Sequence, residues 1–329
     1  MTPPTGKTAV LKFSTDDLPA RDRITIWREV FARSVVKVDL EPLGEGPFRS
    51  ESLVRALPDV TVRCSSASAA EVRRTKPLVA DGDDNFILSI IKKGQMVATQ
   101  ADREVVLDNG GAYLWSNAST GVSRNPTAMD LVTVSLTRRS LSAVVADLDN
   151  TTMRLVPASS EALRLLVSYV DILQKETAAM TPELLAVSAT HIQDLAALAL
   201  GATRDAAEAA KVGGLRAARL QALKADIMAN VGNPKLSLDT IALRHNISPR
   251  YIRALLNDEQ ISFSDFVREQ RLRRAYRMLS NFKLADRNIS AIALECGFGD
   301  LSHFNHSFRR RFGATPSDIR AHAQQELAT

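Results

Sequence analysis

The pattern of apolar residues between positions 289 and 316 constrains the fold more than any other part of the chain. Ile289, Ile292 and Ala293 recur at the spacing of one helix face. Gly297 follows, at a position where a left-handed residue can end that helix. A second helical stripe comes after the turn and consists of Leu301, Phe304, Phe308 and Phe312. The pattern therefore predicts two short helices joined by a tight glycine turn.

The face of the second helix opposite this apolar stripe is polar and basic. Its side chains can donate hydrogen bonds to phosphates or base edges, and they are Ser302, His303, Asn305, His306, Arg309 and Arg310. Thr315-Pro316 would cap a third helix. A short helix, a turn and a polar second helix are typical of a DNA-binding helix-turn-helix. The alternative is a surface hairpin of helices whose charges are only solvated.

This stretch resembles the second helix-turn-helix unit of the AraC/XylS family of bacterial transcription regulators. Many fixed residue types at fixed spacings carry the resemblance, namely Ile289, Ile292, Ala293, Gly297, Phe298, Phe304, Phe308, Arg309, Gly313, Thr315, Pro316 and Arg320. Ile319 replaces the usual aromatic residue, which we expect to change only local packing. The resemblance implies a second helix-turn-helix unit earlier in the chain.

Residues 236–256 fit that first unit more loosely. Ser237 can cap a first helix, and Ser248-Pro249 can open a second helix. On the exposed side of the second helix, the candidate DNA contacts are Arg250, Tyr251 and Arg253. Three positions depart from the family pattern, which predicts a weaker or less specific grip on DNA; they are Asn246, Ala254 and Leu256.

The apolar spacing of residues 262–282 predicts one long helix between the two units. Its twenty-one residues would span about 31 Å at 1.5 Å per residue. That length is close to one turn of B-DNA, about 34 Å, so the two units could enter successive major grooves. Two interpretations remain for the basic side chains of this helix, DNA contact or a solvated surface; the residues are Arg271, Arg273, Arg274 and Arg277.

The distribution of charge also separates the region that contains the two helix-turn-helix units from the rest of the chain. Residues 211–329 hold 19 lysine or arginine residues and 11 acidic residues, so their net charge is +8. The remaining residues carry a net charge of −3 within a chain total of +5. A basic domain attracts the phosphate backbone, whereas the acidic half predicts a different kind of partner.

The first half, residues 13–157, has many short β-prone runs separated by turn-forming residues. The predicted strands are 54–58, 60–65, 86–92, 95–100, 104–107, 112–115 and 131–136, preceded by a helix over 18–31. Residues 1–12 are expected to be a disordered lead. The fold class is therefore α+β, with a β-barrel or sandwich followed by an all-α domain.

This arrangement resembles the cupin-like sensory domain that precedes many AraC-type DNA-binding domains. The resemblance implies a small-molecule effector bound inside the β domain, in the manner of other ligand-holding barrels. The candidate lining residues are Phe86, Met96, Tyr113 and Trp115, for which ordinary core packing is the alternative. Aromatic acids or amines are the effectors that the family suggests.

No motif predicts catalysis, a cofactor or a metal site. The five histidines lie at positions 191, 245, 303, 306 and 322, outside the β domain, so a metal cupin lacks its ligands. Asp81-Gly-Asp-Asp84 could suggest calcium, but the ligand spacing of an EF-hand is missing and a turn is favoured. His303 and His306 could chelate zinc, although DNA or solvent contact suits a recognition helix better. The two cysteines, Cys64 and Cys296, are too few for a repair methyltransferase.

Residues 158–203 predict two amphipathic helices, either packed on the β domain or forming a dimer interface. Residues 204–214 contain small and charged residues and predict a linker. Residues 215–325 would form the DNA-binding domain. The chain has no apolar stretch long enough to span a membrane and no signal-peptide pattern, and its few cysteines suit the cytoplasm.

The sequence therefore predicts a cytoplasmic, effector-responsive transcription regulator that binds double-stranded promoter DNA and acts as an activator. The resemblance implies RNA polymerase and a second copy of the chain as partners, with no membrane association. Two other classes stay open. One is a ligand-independent architectural DNA-binding protein whose first domain mediates protein contacts, and the other is an enzyme fused to a DNA-binding domain.

Overall fold

The computed structural model describes residues 10–44, 46–175, 180–281, 284 and 286–325. The chain forms two compact units, residues 1–218 and 219–329, which we call the N-terminal and C-terminal units. Across the described ranges, no helix combines the length and apolar character needed to cross a membrane.

The N-terminal unit is a β-sandwich followed by helices. Its strands are β1 (Val10–Ser14), β2 (Asp39–Pro42), β3 (Ser50–Leu57), β4 (Val60–Ala67), β5 (Ala70–Arg74), β6 (Phe86–Lys93), β7 (Met96–Gln100), β8 (Arg103–Leu107), β9 (Ala112–Ser116), β10 (Gly121–Asn125), β11 (Met129–Leu136) and β12 (Leu155–Val156). Its helices are α1 (Arg23–Ile26), which continues as a π-helix (Trp27–Val36), α2 (Lys76–Val79), α3 (Arg138–Ser142), α4 (Leu148–Thr151), α5 (Glu161–Lys175), α6 (Pro182–Leu200), α7 (Arg204–Val212) and α8 (Gly214–Ala229), the last of which runs into the C-terminal unit.

Two antiparallel sheets form the sandwich within the described residues. One has seven strands in the order β1-β3-β4-β11-β6-β9-β12, and the other has five in the order β2-β5-β10-β7-β8. Neither sheet closes on itself, so the predicted barrel or sandwich is an open sandwich and the α+β class is confirmed. Each predicted strand run has its counterpart, whereas β1, β2, β5, β10 and β12 were not predicted.

Helices α5 and α6 cover the outer face of the seven-stranded sheet. Leu166 and Ile192 are fully buried in the same apolar cluster as Val132 and Val134 of β11. Side chains at alternate positions of a strand point to opposite faces of the sheet. The face under the helices can therefore be apolar while the face toward the second sheet carries polar side chains. The apolar stripes of both helices therefore pack within the unit, which is one of the two interpretations that their sequence allowed.

Three segments differ from their predicted structure. Residues 10–12 of the predicted disordered lead belong to β1, which pairs with β3, and residues 1–9 lie outside the described ranges. Residues 204–212 of the predicted linker form α7, because alanine and charged residues favour a helix even where they leave little apolar surface. The helix predicted over 18–31 instead begins at Arg23 and runs to Val36.

The C-terminal unit contains two small helical cores that share one long helix. Its elements, after the end of α8, are α9 (Leu238–His245), α10 (Pro249–Asn257), α11 (Phe263–Leu279), α12 (Ile289–Glu295), α13 (Leu301–Phe312) and α14 (Pro316–Gln325). The first half of α11 packs with α8, α9 and α10, and its second half packs with α12 and α13. The predicted connecting helix ends at Leu279, and Phe282, at its predicted end, lies outside the described residues.

Local sequence signals set the helix ends in this unit. Ser248 Oγ accepts from the backbone N–H of Tyr251 at 3.2 Å, and Asp300 Oδ1 accepts from the backbone N–H of His303 at 2.7 Å. Asn246 ends α9 in the left-handed conformation that asparagine tolerates, with φ of 51°. The two predicted helix-turn-helix units are therefore α9–α10 and α12–α13.

Gly297, in the turn between α12 and α13, has no room for a side chain. Its φ is +90°, and a Cβ there would lie 2.7 Å from Arg271 Nε and 2.9 Å from the backbone oxygen of Val231. Gly297→Ala is expected to lower the free energy of unfolding of the C-terminal unit by about 2–3 kcal/mol, from backbone strain and displacement of Arg271. Urea titration followed by circular dichroism would measure it.

Gly313→Ala is the matched control for this substitution. Gly313 ends α13 with a φ of +73°, and a Cβ there would meet nothing within 4 Å. Its substitution carries only the backbone cost of about 1–2 kcal/mol. Equal losses for the two variants would show that the contacts with Arg271 and Val231 do not restrict position 297.

Candidate functional site

An internal cavity of about 790 Å³ lies between the two sheets of the N-terminal unit. Side chains from β3, β4, β6, β9 and β11 line it on one side, and side chains from β2, β5, β7 and β10 line it on the other. Separate apolar clusters flank it, one around Trp27 and Phe31 and another around Met96 and Leu107. Its volume falls in the range of small-molecule sites, about 300–1,000 Å³.

A row of polar side chains lies on the cavity-facing side of the seven-stranded sheet. The strand register places Arg63 opposite Thr133, Thr133 opposite Ser89, and Ser89 opposite Tyr113, on β4, β11, β6 and β9 respectively. All four side chains line the cavity. Arg63 Nε donates to Thr133 Oγ1 at 3.2 Å. The inner face of the sheet is therefore built to hold polar atoms, in contrast to its outer face.

Three of the four predicted lining residues do line the cavity. Met96, Tyr113 and Trp115 are buried, and the rings of Tyr113 and Trp115 meet edge to face with centroids 6.4 Å apart. The Tyr113 hydroxyl donates to Met96 Sδ at 3.5 Å. Burial raises the pKa of Tyr113 to about 12, against the opposing effect of hydrogen bonds with Ser89 and Ser123. Tyr113 is therefore a neutral hydroxyl at physiological pH.

Phe86, the fourth predicted lining residue, lies on the other face of the sheet. It shares the outward-facing positions of β6 with Leu88 and Ile90 and packs in the core beneath the helices. The guanidinium carbon of Arg138 lies 4.7 Å from its ring centroid. Because strand positions alternate, the inward residues of β6 are Ile87 and Ser89, both of which line the cavity.

The turn at residues 81–84 forms ion pairs at one end of the cavity. Arg74 Nη2 donates to Asp81 Oδ1 at 2.9 Å, and Lys37 Nζ donates to Asp83 Oδ2 at 3.2 Å. Burial acts to raise the pKa of Asp81, but hydrogen bonds from the Asp83 amide and Arg74 outweigh it and lower that pKa. The carboxylates are matched by cations of the chain, which favours the turn over the calcium alternative.

Arg63 is one of the many cavity residues that were not predicted from the sequence, and it is a charged one. Burial lowers the pKa of its guanidinium to about 10, so it remains charged at neutral pH. The sequence signal that could have identified Arg63 is its position in β4, where it lies between Val62 and Cys64. Both of these neighbours face the outer side of the sheet, so Arg63 faces the cavity. An arginine at an inward position of a central strand is unusual enough to mark a binding site.

The second candidate site is the exposed face of α13 in the C-terminal unit. The six predicted side chains, Ser302, His303, Asn305, His306, Arg309 and Arg310, are all exposed, while Phe304 and Phe308 are fully buried on the opposite face. In the described part of the chain, Arg309 and Arg310 form no ion pair. Arg311, the next residue, donates from Nε to Glu269 Oε2 at 2.8 Å.

The exposed face of α10 is smaller. Arg250 and Arg253 are exposed, as predicted for DNA contacts. Tyr251 is half-buried against the core, where the Arg219 guanidinium carbon lies 5.4 Å from its ring centroid and Arg219 Nη1 donates to its hydroxyl at 3.3 Å. Tyr251 therefore has a packing role in the helix-turn-helix, whether or not it also reaches DNA.

Three arginines of α11 are held by contacts inside the unit. Arg271 donates to the backbone oxygens of Val231 and Asn233 at 3.0 and 2.8 Å. Arg273 pairs with Glu269 at 2.7 Å, and Arg274 pairs with Glu295 at 3.5 Å. These contacts favour a structural role for α11 over direct DNA contact.

Neither cysteine forms part of a reactive site. Cys296 is fully buried in the second helical core, and burial raises the pKa of its thiol to about 11. Burial likewise raises the pKa of Cys64. Within the described ranges, no group of three or more histidine, cysteine or carboxylate side chains could hold a metal ion.

Comparison with known domain families gives matches to both units. Residues 241–322 match the model of a helix-turn-helix domain, and residues 27–201 match the model of an AraC-binding-like domain. The second match alone covers more than half of the chain.

Individual known proteins are similar to this chain over different fractions of its length. Transcriptional activator NphR of Rhodococcus sp is 25% identical over 313 residues, which are 94% of this chain and 92% of NphR. Transcriptional activator RhrA of Rhizobium meliloti (strain 1021) is 36% identical over 102 residues, so the match spans 31% of this chain and only 32% of RhrA. The crystal structure of the AraC-like transcriptional activator CuxR shares 19% identity, with a TM-score of 0.50 over 82% of this chain and 95% of CuxR. That similarity is one of fold.

Proposed function

Because the chain belongs to the AraC family of DNA-binding transcription regulators, we propose that it activates transcription when a small molecule binds in its N-terminal cavity. The family consists of regulators and not enzymes. The observation that carries the proposal is the pair of helix-turn-helix units built on one shared helix, with exposed arginines on the polar face of α13.

The DNA contacts follow from the exposed faces of α10 and α13. Each helix would enter a major groove, with α13 supplying the larger set of donors and α10 supplying Arg250 and Arg253. Helix α11 has seventeen residues and spans about 25 Å, shorter than the one-turn spacing of about 34 Å that the sequence suggested. Because α10 packs with the first half of α11 and α13 with the second half, adjacent grooves on one face of DNA remain the proposed target.

The remaining partners are part of the same proposal. We propose that activation involves contact with RNA polymerase and that the chain acts in the cytoplasm, where bacterial genes are transcribed. A homodimer would present two DNA-binding units. Leu184 and Val187, at i and i+3 near the start of α6, are about half exposed and form a small apolar patch that a second copy could cover.

Transcription in vitro tests the proposal. A template carrying the DNA site that the purified chain selects would be transcribed by bacterial RNA polymerase, with and without the chain and a low-molecular-weight cell extract. We expect more transcript with the chain and a further change with the extract. DNA binding with no effect of the extract on transcription would instead support the architectural alternative.

A further inference from the structure

We propose that the ligand of the N-terminal cavity is a small organic acid with a single carboxylate, bound directly by the guanidinium of Arg63. This inference rests on the proposed function, since it names the chemistry of the effector that the regulator would sense. It follows from the balance of charge in the cavity, from the position of Arg63 and from the apolar walls beyond it.

Arg63 is the one cation lining the cavity that lacks a carboxylate partner among the described residues. The lining cations are Lys37, Arg63 and Arg74. Lys37 pairs with Asp83 at 3.2 Å and Arg74 pairs with Asp81 at 2.9 Å, so these charges cancel. Buried charges are normally paired, because removing an ion from water costs several kcal/mol. The cavity therefore has room and charge for one external anion.

The position of Arg63 suits a bound carboxylate. Thr133 holds the Nε–H at 3.2 Å and so orients the guanidinium, which has five N–H donors in a planar fork. Two parallel N–H donors bind the two oxygens of a carboxylate, the strongest common arginine geometry. Thr61 and Ser135, paired across β4 and β11 in the next row, line the cavity beside them and offer hydroxyl groups.

The cavity beyond Arg63 fits an apolar or aromatic body. Leu131 and Met129 follow on β11, and Tyr113 and Trp115 lie on β9, three strands away from β4. At about 4.8 Å per strand this separation is about 14 Å, enough to accommodate a small aromatic acid or a medium-chain acid. The charge balance favours one negative charge over the nearly two charges of a phosphate monoester.

A matched set of probes tests the charge requirement. Phenylacetate, indole-3-acetate and decanoate would each be compared at about 5 mM with the corresponding amide and amine, together with phenyl phosphate. The readouts are the melting temperature and the tryptophan fluorescence, since both tryptophans of the chain, Trp27 and Trp115, line the cavity. We expect at least one acid to raise the melting temperature by about 5–10 °C near 100 times its Kd, with no response to its amide or amine.

Two substitutions locate the contact. Arg63→Met keeps the length of the side chain but removes its charge, and it is expected to abolish the response to the acid while leaving the unliganded melting temperature equal or higher. Lys12→Met removes an exposed cation of the same sheet that is paired with Glu51 and does not line the cavity, and it should keep the response. Loss of the response in both variants would indicate general charge attraction instead of a contact with Arg63.

Several results would overturn the inference. They are an equal response to the amide or amine, preference for phenyl phosphate, an unchanged response in Arg63→Met, or no response to any acid of the set and to the acidic fraction of a cell extract. The same variants would be assayed for binding to the selected DNA site. Full DNA binding by Arg63→Met, whatever its ligand response, would separate failure of this inference from failure of the proposed regulator.

Discussion

Replacing Arg309 and Arg310 together with alanine is expected to weaken binding to the selected DNA site by roughly 100-fold or more. Both side chains are exposed on α13, and each contact to a base or phosphate contributes about 1–3 kcal/mol. If the lost contacts are to phosphates, the slope of log affinity against log salt should fall by about one for each. Fluorescence anisotropy with labelled DNA at two or more salt concentrations measures both quantities.

Arg311→Ala provides the matched control on the same helix. Arg311 carries the same charge but is held by Glu269, with Nε 2.8 Å from Oε2 and Nη2 2.9 Å from Oε1. Its removal changes the net charge by half as much as the double substitution and should cost less than about 10-fold in affinity. Similar losses for Arg311→Ala and the double variant would mean that net charge, and not the exposed face of α13, governs binding.

Phe304→Ala is expected to destabilise the C-terminal unit by about 3–5 kcal/mol and so abolish DNA binding at moderate temperature. Phe304 has no exposed surface. Its ring centroid lies 5.0 Å from the ring centroid of Phe298 and 5.5 Å from that of Phe308. Its loss leaves a cavity under the recognition helix. Thermal unfolding followed by circular dichroism should show the transition of this unit lowered on the order of 15 °C.

The tryptophans make this prediction specific to one unit. Both lie in the N-terminal unit, so their fluorescence reports that unit alone, and its unfolding should be nearly unchanged in Phe304→Ala. Leu301→Ala is the control on the same helix, because Leu301 is 43% exposed and its truncation should cost about 1 kcal/mol or less. A small effect of Phe304→Ala would contradict the assignment of this ring to the core.

The C-terminal unit was predictable because its signals are local. A serine or aspartate at a helix start, a glycine in the turn and apolar residues at helical spacing act within a few residues of one another. The structure has Ser248, Asp300 and Gly297 in those positions. The length of α11 was overestimated, since nothing in the sequence marks its end as clearly as Gly313 marks the end of α13.

The N-terminal unit was less predictable because its determinants are distant in sequence. Phe86 was assigned to the cavity on its aromatic character, although the alternation along β6 depends on which face the helices cover. Arg63 faces Thr133, seventy residues away, and only the pairing of β4 with β11 brings them together. A polar inner face also reverses the usual pattern of a sandwich, in which inward positions are apolar.

Selection of DNA from a random pool by the purified full-length protein tests the central claim most directly. Two exposed recognition helices on one shared helix predict a DNA motif of two short blocks, with centres about one helical turn apart. The Arg309→Ala/Arg310→Ala variant should enrich this motif only weakly, or enrich a motif that lacks one of the two blocks. Enrichment of no motif, by the full-length protein and by residues 211–329 alone, would contradict sequence-specific recognition by these two units.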